Sequence, residues 1–165
     1  MMRILLPVLM LLTSCGYHLV GHGDGRGVIP ADVRTLSIVG SGEAQQLLAP
    51  LRQRLMSDSF LLIEQDDIAD EEHHATLRLY VSPAAYNPSA YDAAGVAIQY
   101  TMLLSGSLQL NQRGGIIWQS GTIQRQGDVY VAGDPSSIEA SRERLLRDLR
   151  KQWLQDAIGR LRSGF

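Results

Sequence analysis

Hydrophobic and polar residues alternate most regularly from Val96 to Asn111. Val96, Ile98, Tyr100, Met102, Leu104, Leu108 and Leu110 occupy even positions, and Gln99, Thr101, Ser105, Ser107, Gln109 and Asn111 occupy odd ones. A period of two puts successive side chains on opposite faces of a strand. The run spans about 50 Å of extended chain, well beyond the common strand length of about 5–6 residues. Gln112-Arg113-Gly114-Gly115 follows as a hairpin turn. Ile116 to Val131 then returns as the partner strand, with breaks expected near Gly121 and Gly127, where bulges fit. Shorter alternations predict strands at Arg34–Val39, around Leu36 and Ile38, and at Ala75–Ser82, around Leu77, Leu79 and Val81. Phe60–Gln65 is a further strand candidate, and Asp66–His74 reads as an acidic loop.

Two stretches switch to helical spacing. From Gln45 to Asp58, Leu47, Leu48, Leu51, Leu55 and Met56 form one apolar stripe. Pro50 interrupts it; in the first turn its missing N–H costs nothing, which would move the start to about Ala49. The second helix starts at Asp134-Pro135, with Asp as N-cap and Pro at the first helical position. Ser136 with Glu139 offers an alternative capping box. It runs to Arg162, roughly 42 Å, with Leu145, Leu146, Leu149, Trp153, Leu154, Ala157, Ile158 and Leu161 on its buried side. Residues 83–95 hold a small tandem repeat, PAAYN then PSAYD. Its two prolines exclude a central strand, so it reads as a protruding loop. Tyr86 and Tyr91 there either form a contact surface or fold back onto the sheet. The expected fold is α+β: a single layer of about four mostly antiparallel or mixed strands, with two helices packed on one face.

The N-terminus carries a different signal. Arg3 precedes an apolar run from Ile4 to Leu12, within the roughly 7–15 residues of a signal-peptide core and too short to span a bilayer. Leu12-Thr13-Ser14-Cys15 follows, an aliphatic residue and two small ones before a cysteine. That is a lipobox: small residues enter a peptidase groove, and the thiol takes a diacylglycerol thioether. Cleavage would leave Cys15 first, and its amine free for a further acyl chain such as palmitate. Two or more chains give stable membrane attachment. Gly16, rather than aspartate, favours sorting to the outer membrane. The chain divides into a signal peptide (1–14), a glycine-rich tether (15–34) and one domain (35–165).

Composition narrows the remaining chemistry. The chain has 165 residues, a formal charge of -2 and one cysteine, which excludes an internal disulfide framework and a Cys-based zinc finger. Near-neutral charge argues against a nucleic-acid binder. The second helix carries seven basic and four acidic residues. Its basic face either meets anionic groups or is solvated and paired at i,i+4, as Glu143 with Arg147. No catalytic constellation is expected. His18 and His22 lie in the tether, and His73 and His74 in the acidic loop beside Asp70 and Glu71. Adjacent loop residues make a poor tetrahedral metal site. Glu139 and Glu143 suit capping and surface pairing better than acid–base work. No metal, cofactor or enzymatic activity is therefore expected.

Cys15-Gly16-Tyr17-His18-Leu19 resembles the mature start of the LPS-assembly lipoproteins (the LptE family), typically Cys-Gly-aromatic-x-Leu. The later order is similar as well. Thr35-Leu36-Ser37-Ile38 precedes a helix, and Gln99-Tyr100-Thr101-Met102 stands where the family often has Glu-Tyr. Val129-Tyr130-Val131 follows the hairpin, ahead of a long helix with Glu143, Leu149, Asp156 and Leu161. The resemblance implies a non-enzymatic outer-membrane lipoprotein on the periplasmic side, with a four-stranded sheet and two helices. It implies a plug inside the LptD β-barrel that assists the barrel's assembly and binds lipopolysaccharide during its insertion into the outer leaflet. The polar row from Gln99 to Gln109 suits a polar barrel lumen. One departure concerns the segment around Asp92, acidic and alanine-rich where relatives often carry a basic residue. Arg78, Arg113 and Arg125 are candidate lipopolysaccharide contacts because they are basic and lie on predicted strands or a turn. Two other readings compete: a lipid-anchored periplasmic adaptor of another envelope transport or secretion complex, and a lipid-anchored hydrolase. The latter lacks a visible Ser–His or Cys–His pair.

Overall fold

The long alternating run becomes strand β5, Ala97–Gln112, 16 residues in length. The structure, a computed structural model, describes residues 27–56, 61–62, 70–131 and 134–164. Its other strands are β1 (Thr35–Gly40), β2 (Leu61–Leu62), β3 (His74–Val81), β4 (Ala85–Tyr91), β6 (Gly115–Gln119) and β7 (Ile123–Tyr130). The helices are α1 (Gln45–Leu55), entered through a 3-10 turn at Gly42–Ala44, and α2 (Pro135–Ser163).

β5 organises the sheet. One of its edges pairs antiparallel with β4 along its first half and β3 along its second; the other edge pairs with β7 and then β6. β3 and β4 therefore form one interrupted lane, and β6 and β7 another. β1 joins β3 in parallel, and β2 joins β1. The sheet has seven strand segments among the described residues, more than the four expected. Irregularities split continuous lanes: at residues 82–84, where Ser82 N–H still donates to Ser105 O, and at residues 120–122, where Gly121 has φ 66. The expected break at Gly127 is absent, because Gly127 lies within β7. The β5–β6 hairpin is the two-residue turn Arg113-Gly114, with φ 50 and 75, matching the positive-φ turns that suit sheet twist.

The segment read as a loop, residues 83–95, contains strand β4. Pro88 is tolerated because, among the described residues, β4 pairs only with β5, so its missing donor falls in an edge strand. Pro50 sits inside α1, not in its first turn. The helix holds because Leu47, Leu51 and Leu55 are buried against the sheet. The start of α2 matches its sequence signal. Asp134 accepts from Ser136 N–H and Ser137 N–H, and Gly164, at φ 83, closes the other end.

Both helices cover one face. Leu36, Leu77, Met102, Leu104, Leu108 and Leu110 point into that layer and meet Leu149, Trp153, Leu154 and Ile158 of α2. Leu145 and Leu146 are only partly buried. The expected tether ends sooner than residue 34: Val28 N–H donates to Leu161 O, and Ile29 and Val33 are buried in the core. The signal-peptide and lipobox readings lie outside the described residues, as do Phe60 and most of the strand and acidic loop expected after it.

Candidate functional site

Among the described residues, the other face of the sheet carries no helix. Alternation sends Thr101, Ser105, Ser107, Gln109 and Asn111 of β5 to this side, opposite the buried Met102–Leu110 row. Directly paired residues share a face, so Thr76, Arg78 and Tyr80 of β3 lie beside Asn111, Gln109 and Ser107. On the far side, Gln124, Gln126 and Asp128 of β7 lie beside Ser105, Leu103 and Thr101. The Tyr80 hydroxyl donates to Gln109 Oε1 at 3.2 Å, and the Thr101 hydroxyl to Asp128 Oδ1 at 2.6 Å. A hydroxyl-rich groove of about 330 Å³ crosses the strands at the level of their irregularities, lined by Ser41, Tyr80, Ser82, Ser105, Ser107 and Thr122.

A second depression lies toward the β5–β6 turn, between Glu71, His74, Thr76, Arg78, Asn111 and Arg113. It brings together two of the three arginines singled out from the sequence. Arg113 is balanced by Asp32 at 3.3 Å and Glu72 at 3.7 Å. The buried Asn111 Oδ1 has no hydrogen-bond partner. Arg125 lies on the helix-covered face, where it forms a double hydrogen bond at 2.5 Å with Asp156 of α2. That contact holds the guanidinium further above its ordinary pKa. Arg125 is thus engaged within the fold and does not join the other two.

The two tyrosines also separate. Tyr86 faces the helix layer, stacked on Tyr100 with ring centroids 4.5 Å apart, and the Arg142 guanidinium lies 4.8 Å from its ring centre. Burial pushes its phenol pKa up. Tyr91 remains exposed. Its end of the sheet also exposes Val96, Ile98 and Tyr130. The basic side of α2 is laced with ion pairs: Arg142 with Glu139, Arg147 with Glu143, and Arg150 with Glu43.

One cluster escaped the sequence reading. The parallel register of β1 and β3 sets Thr35 opposite His74 and Ser37 opposite Thr76. Thr35 Oγ1 lies 2.9 Å from His74 Nδ1, and Ser37 Oγ lies 3.1 Å from Nε2. Burial lowers the His74 pKa below its ordinary value, against an opposing pull from Glu71. Ser37 is only 1% exposed and donates to Thr76 Oγ1, so its hydroxyl fixes the imidazole instead of meeting a substrate. No sequence motif could reveal the pair, because strand register brings together residues 37 positions apart. Among the described residues, no group of three His, Cys, Asp or Glu side chains is placed to hold a metal ion.

The fold thus belongs to the α+β class in which two helices cover one side of an open sheet and leave a polar side uncovered. Among the solved structures it resembles are three bacterial lipoproteins. The chain is similar to lipoprotein B of Nitrosomonas europaea (TM-score 0.60, 12% identity, 85% of each chain covered). It is also similar to a minor lipoprotein of Acinetobacter baumannii (0.59, 14%, 79% of this chain and 92% of that one). Rare lipoprotein B of Shewanella oneidensis matches at 0.55 and 19% identity, over 78% and 90%. At these identities the likeness establishes the fold. No protein-family model and no curated protein sequence matches the chain.

Proposed function

We propose that this chain is an outer-membrane lipoprotein, acylated at Cys15 and held on the periplasmic side, that seats within an LptD-type β-barrel. There it assists the barrel's assembly and contacts lipopolysaccharide on its way to the outer leaflet. The observation that carries the reading is the uncovered sheet face. β5 runs 16 residues without one charged side chain, and its open side presents amides and hydroxyls that can pair with a polar lumen. The lipobox and the shared architecture of bacterial lipoproteins support it. The depression holding Arg78 and Arg113 on the open face is the place for an anionic group of lipopolysaccharide; Arg125, beside Leu104 on the helix-covered face, is not.

The test is extraction of outer membranes carrying a C-terminally tagged chain, followed by pull-down and mass spectrometry. A large β-barrel recovered in roughly equal amount, and retained through washing, is the expected result. Recovery of the lipoprotein alone, or with soluble periplasmic proteins only, would overturn the plug reading and favour an adaptor.

A further inference from the structure

We propose that the β5–β6 hairpin rests on the membrane leaflet and acts as a second, protein-borne membrane contact beside the acylated Cys15. The proposal rests on the anchor reading of Cys15, and it concerns residues that reading does not use. Ile116, Ile117 and Trp118 are consecutive apolar residues on β6. Ile116 is 56% exposed and Ile117 is 44% exposed, while Trp118 packs partly against the core. Neither isoleucine has a place in the layer between sheet and helices. A run of exposed apolar residues on an open edge strand is a pairing hazard in water, and natural edges are usually blunted. An apolar or interfacial environment would relieve that exposure.

The fold indicates what covers it. Three elements meet at this end of the molecule. Trp118 Nε1 donates to Gly164 O, at the end of α2. Val28 N–H donates to Leu161 O one turn earlier. Asp32 Oδ2 accepts from Gln112 Nε2 and Arg113 Nη2, at the hairpin itself. So the chain enters the domain at the same end from which the hairpin projects. Cys15 lies twelve residues upstream of Gly27, a reach of at most about 40 Å even when fully extended. An acylated Cys15 favours this end over the far end with Tyr91 and Tyr130, about 50 Å away along the 16 residues of β5, as the one nearer the leaflet. Trp118, paired with Leu110, and Ile116, paired with Asn111, lie on opposite faces of the sheet, so it is a hairpin entering end-on that sets an indole with its N–H satisfied and two aliphatic neighbours at the headgroup boundary. The free backbone groups of β6 require a shallow seat where water still reaches them.

The sole cysteine permits a direct test. The mature chain, residues 15–165, is coupled through Cys15 to a maleimide-headgroup lipid in vesicles of phosphatidylethanolamine and phosphatidylglycerol, with or without brominated acyl chains. Trp153 is fully buried, so the difference in emission between the wild-type chain and Trp118→Phe isolates Trp118. The expected result is loss of Trp118 emission in brominated vesicles, abolished by joint Ile116→Ser and Ile117→Ser. Both isoleucines are exposed, and an unchanged unfolding midpoint will show that the double variant is folded. Equal Trp118 emission in plain and brominated vesicles, or quenching that survives the serine pair, would overturn the proposal. Coupling is chemical, so this outcome does not depend on acylation in cells. Palmitate labelling of the wild-type and Cys15→Ser chains tests the anchor separately.

Discussion

Replacing Gly106 with alanine tests whether the packing at the middle of the sheet is as tight as the geometry implies. Gly106 sits at mid-β5, paired with Val81 on one side and Ile123 on the other. A Cβ there would lie 2.6 Å from Tyr80 O, 2.8 Å from Trp153 Cζ2 and 3.1 Å from Val81 Cγ2. The Tyr80 carbonyl is strand backbone and cannot retreat alone. The indole cannot swing away either, because its Nε1 donates to Ile123 O at 3.0 Å and its ring is 0% exposed. Where space allows, Gly→Ala stabilises by about 0.4–1 kcal/mol through the unfolded chain. Overpacking costs about 1–3 kcal/mol, and with two fixed neighbours the upper end applies, so destabilisation wins. A loss of about 3 kcal/mol corresponds to roughly 6–12 °C in Tm for a chain of this size. Urea unfolding followed by tryptophan fluorescence measures it, with Ser107→Ala on the open face as a control expected to stay within about 0.5 kcal/mol. If Gly106→Ala unfolds at the wild-type midpoint with an unchanged near-UV spectrum, the argument for a pinned Trp153 is wrong.

Three further outcomes follow from particular groups. Burial lowers the His74 pKa, so below the ordinary value of about 6.5 the unfolded chain binds a proton that the folded chain resists. Stability is full above that pH and declines as pH falls toward the folded value; His74→Gln should flatten this slope in unfolding midpoints taken across the range. Ser107→Arg places a charge at the middle of the half-exposed open face without touching the core. It should leave Tm within a degree or two of wild type, roughly what a neutral surface change gives, yet reduce recovery of the barrel in the pull-down. Asp134 caps α2 through Ser136 N–H and Ser137 N–H; the Ser136 hydroxyl first, and these N–H groups with it, hold its carboxyl below the usual range. Asp134→Ala should speed amide exchange in the first turn of α2, and the wild-type cap should weaken as pH falls through the carboxylate range.

The fold was largely legible because its strongest elements are governed by local rules. Period two in β5 and the Asp-Pro start of α2 each depend on residues within a few positions. The readings that failed depended on something remote. Pro88 excludes a central strand, yet whether a strand lies at an edge is decided by what pairs beyond it, and among the described residues nothing pairs beyond β4. Pro50 marks a helix start by propensity, but Leu47 is buried three residues earlier and carries the helix past that preference. The site divides in the same way. The polar row of β5 could be read directly. The union of Arg78 with Arg113, the loss of Arg125 to Asp156, and the Ser37–His74 contact all required strand register and helix placement.

An uncovered polar face is ordinary for an antiparallel sheet, so its existence alone argues little; its chemistry argues more. A face shaped only for solubility favours charged residues of both signs, as on α2, where Arg142, Arg147 and Arg150 all find carboxylates. Along β5 such pairs are missing, and Leu103 aside its open side is mostly serine, threonine, glutamine and asparagine. The difference matters when water is removed. A buried charge without a good partner is penalised by several kcal/mol, whereas an amide or hydroxyl loses little if another polar surface replaces the water it held. A neutral hydrogen-bonding face can therefore be covered by a polar wall at low cost, and a salt-bridged one cannot. The same molecule carries the ion pairs of α2 on the helix side and an uncharged strand, β5, along the middle of the open side, with Arg78 and Asp128 on the flanking strands. That division is what a domain needs if one face stays wet while the other is taken into a partner, and it is why the plug reading is assigned to the sheet and not to the basic helix.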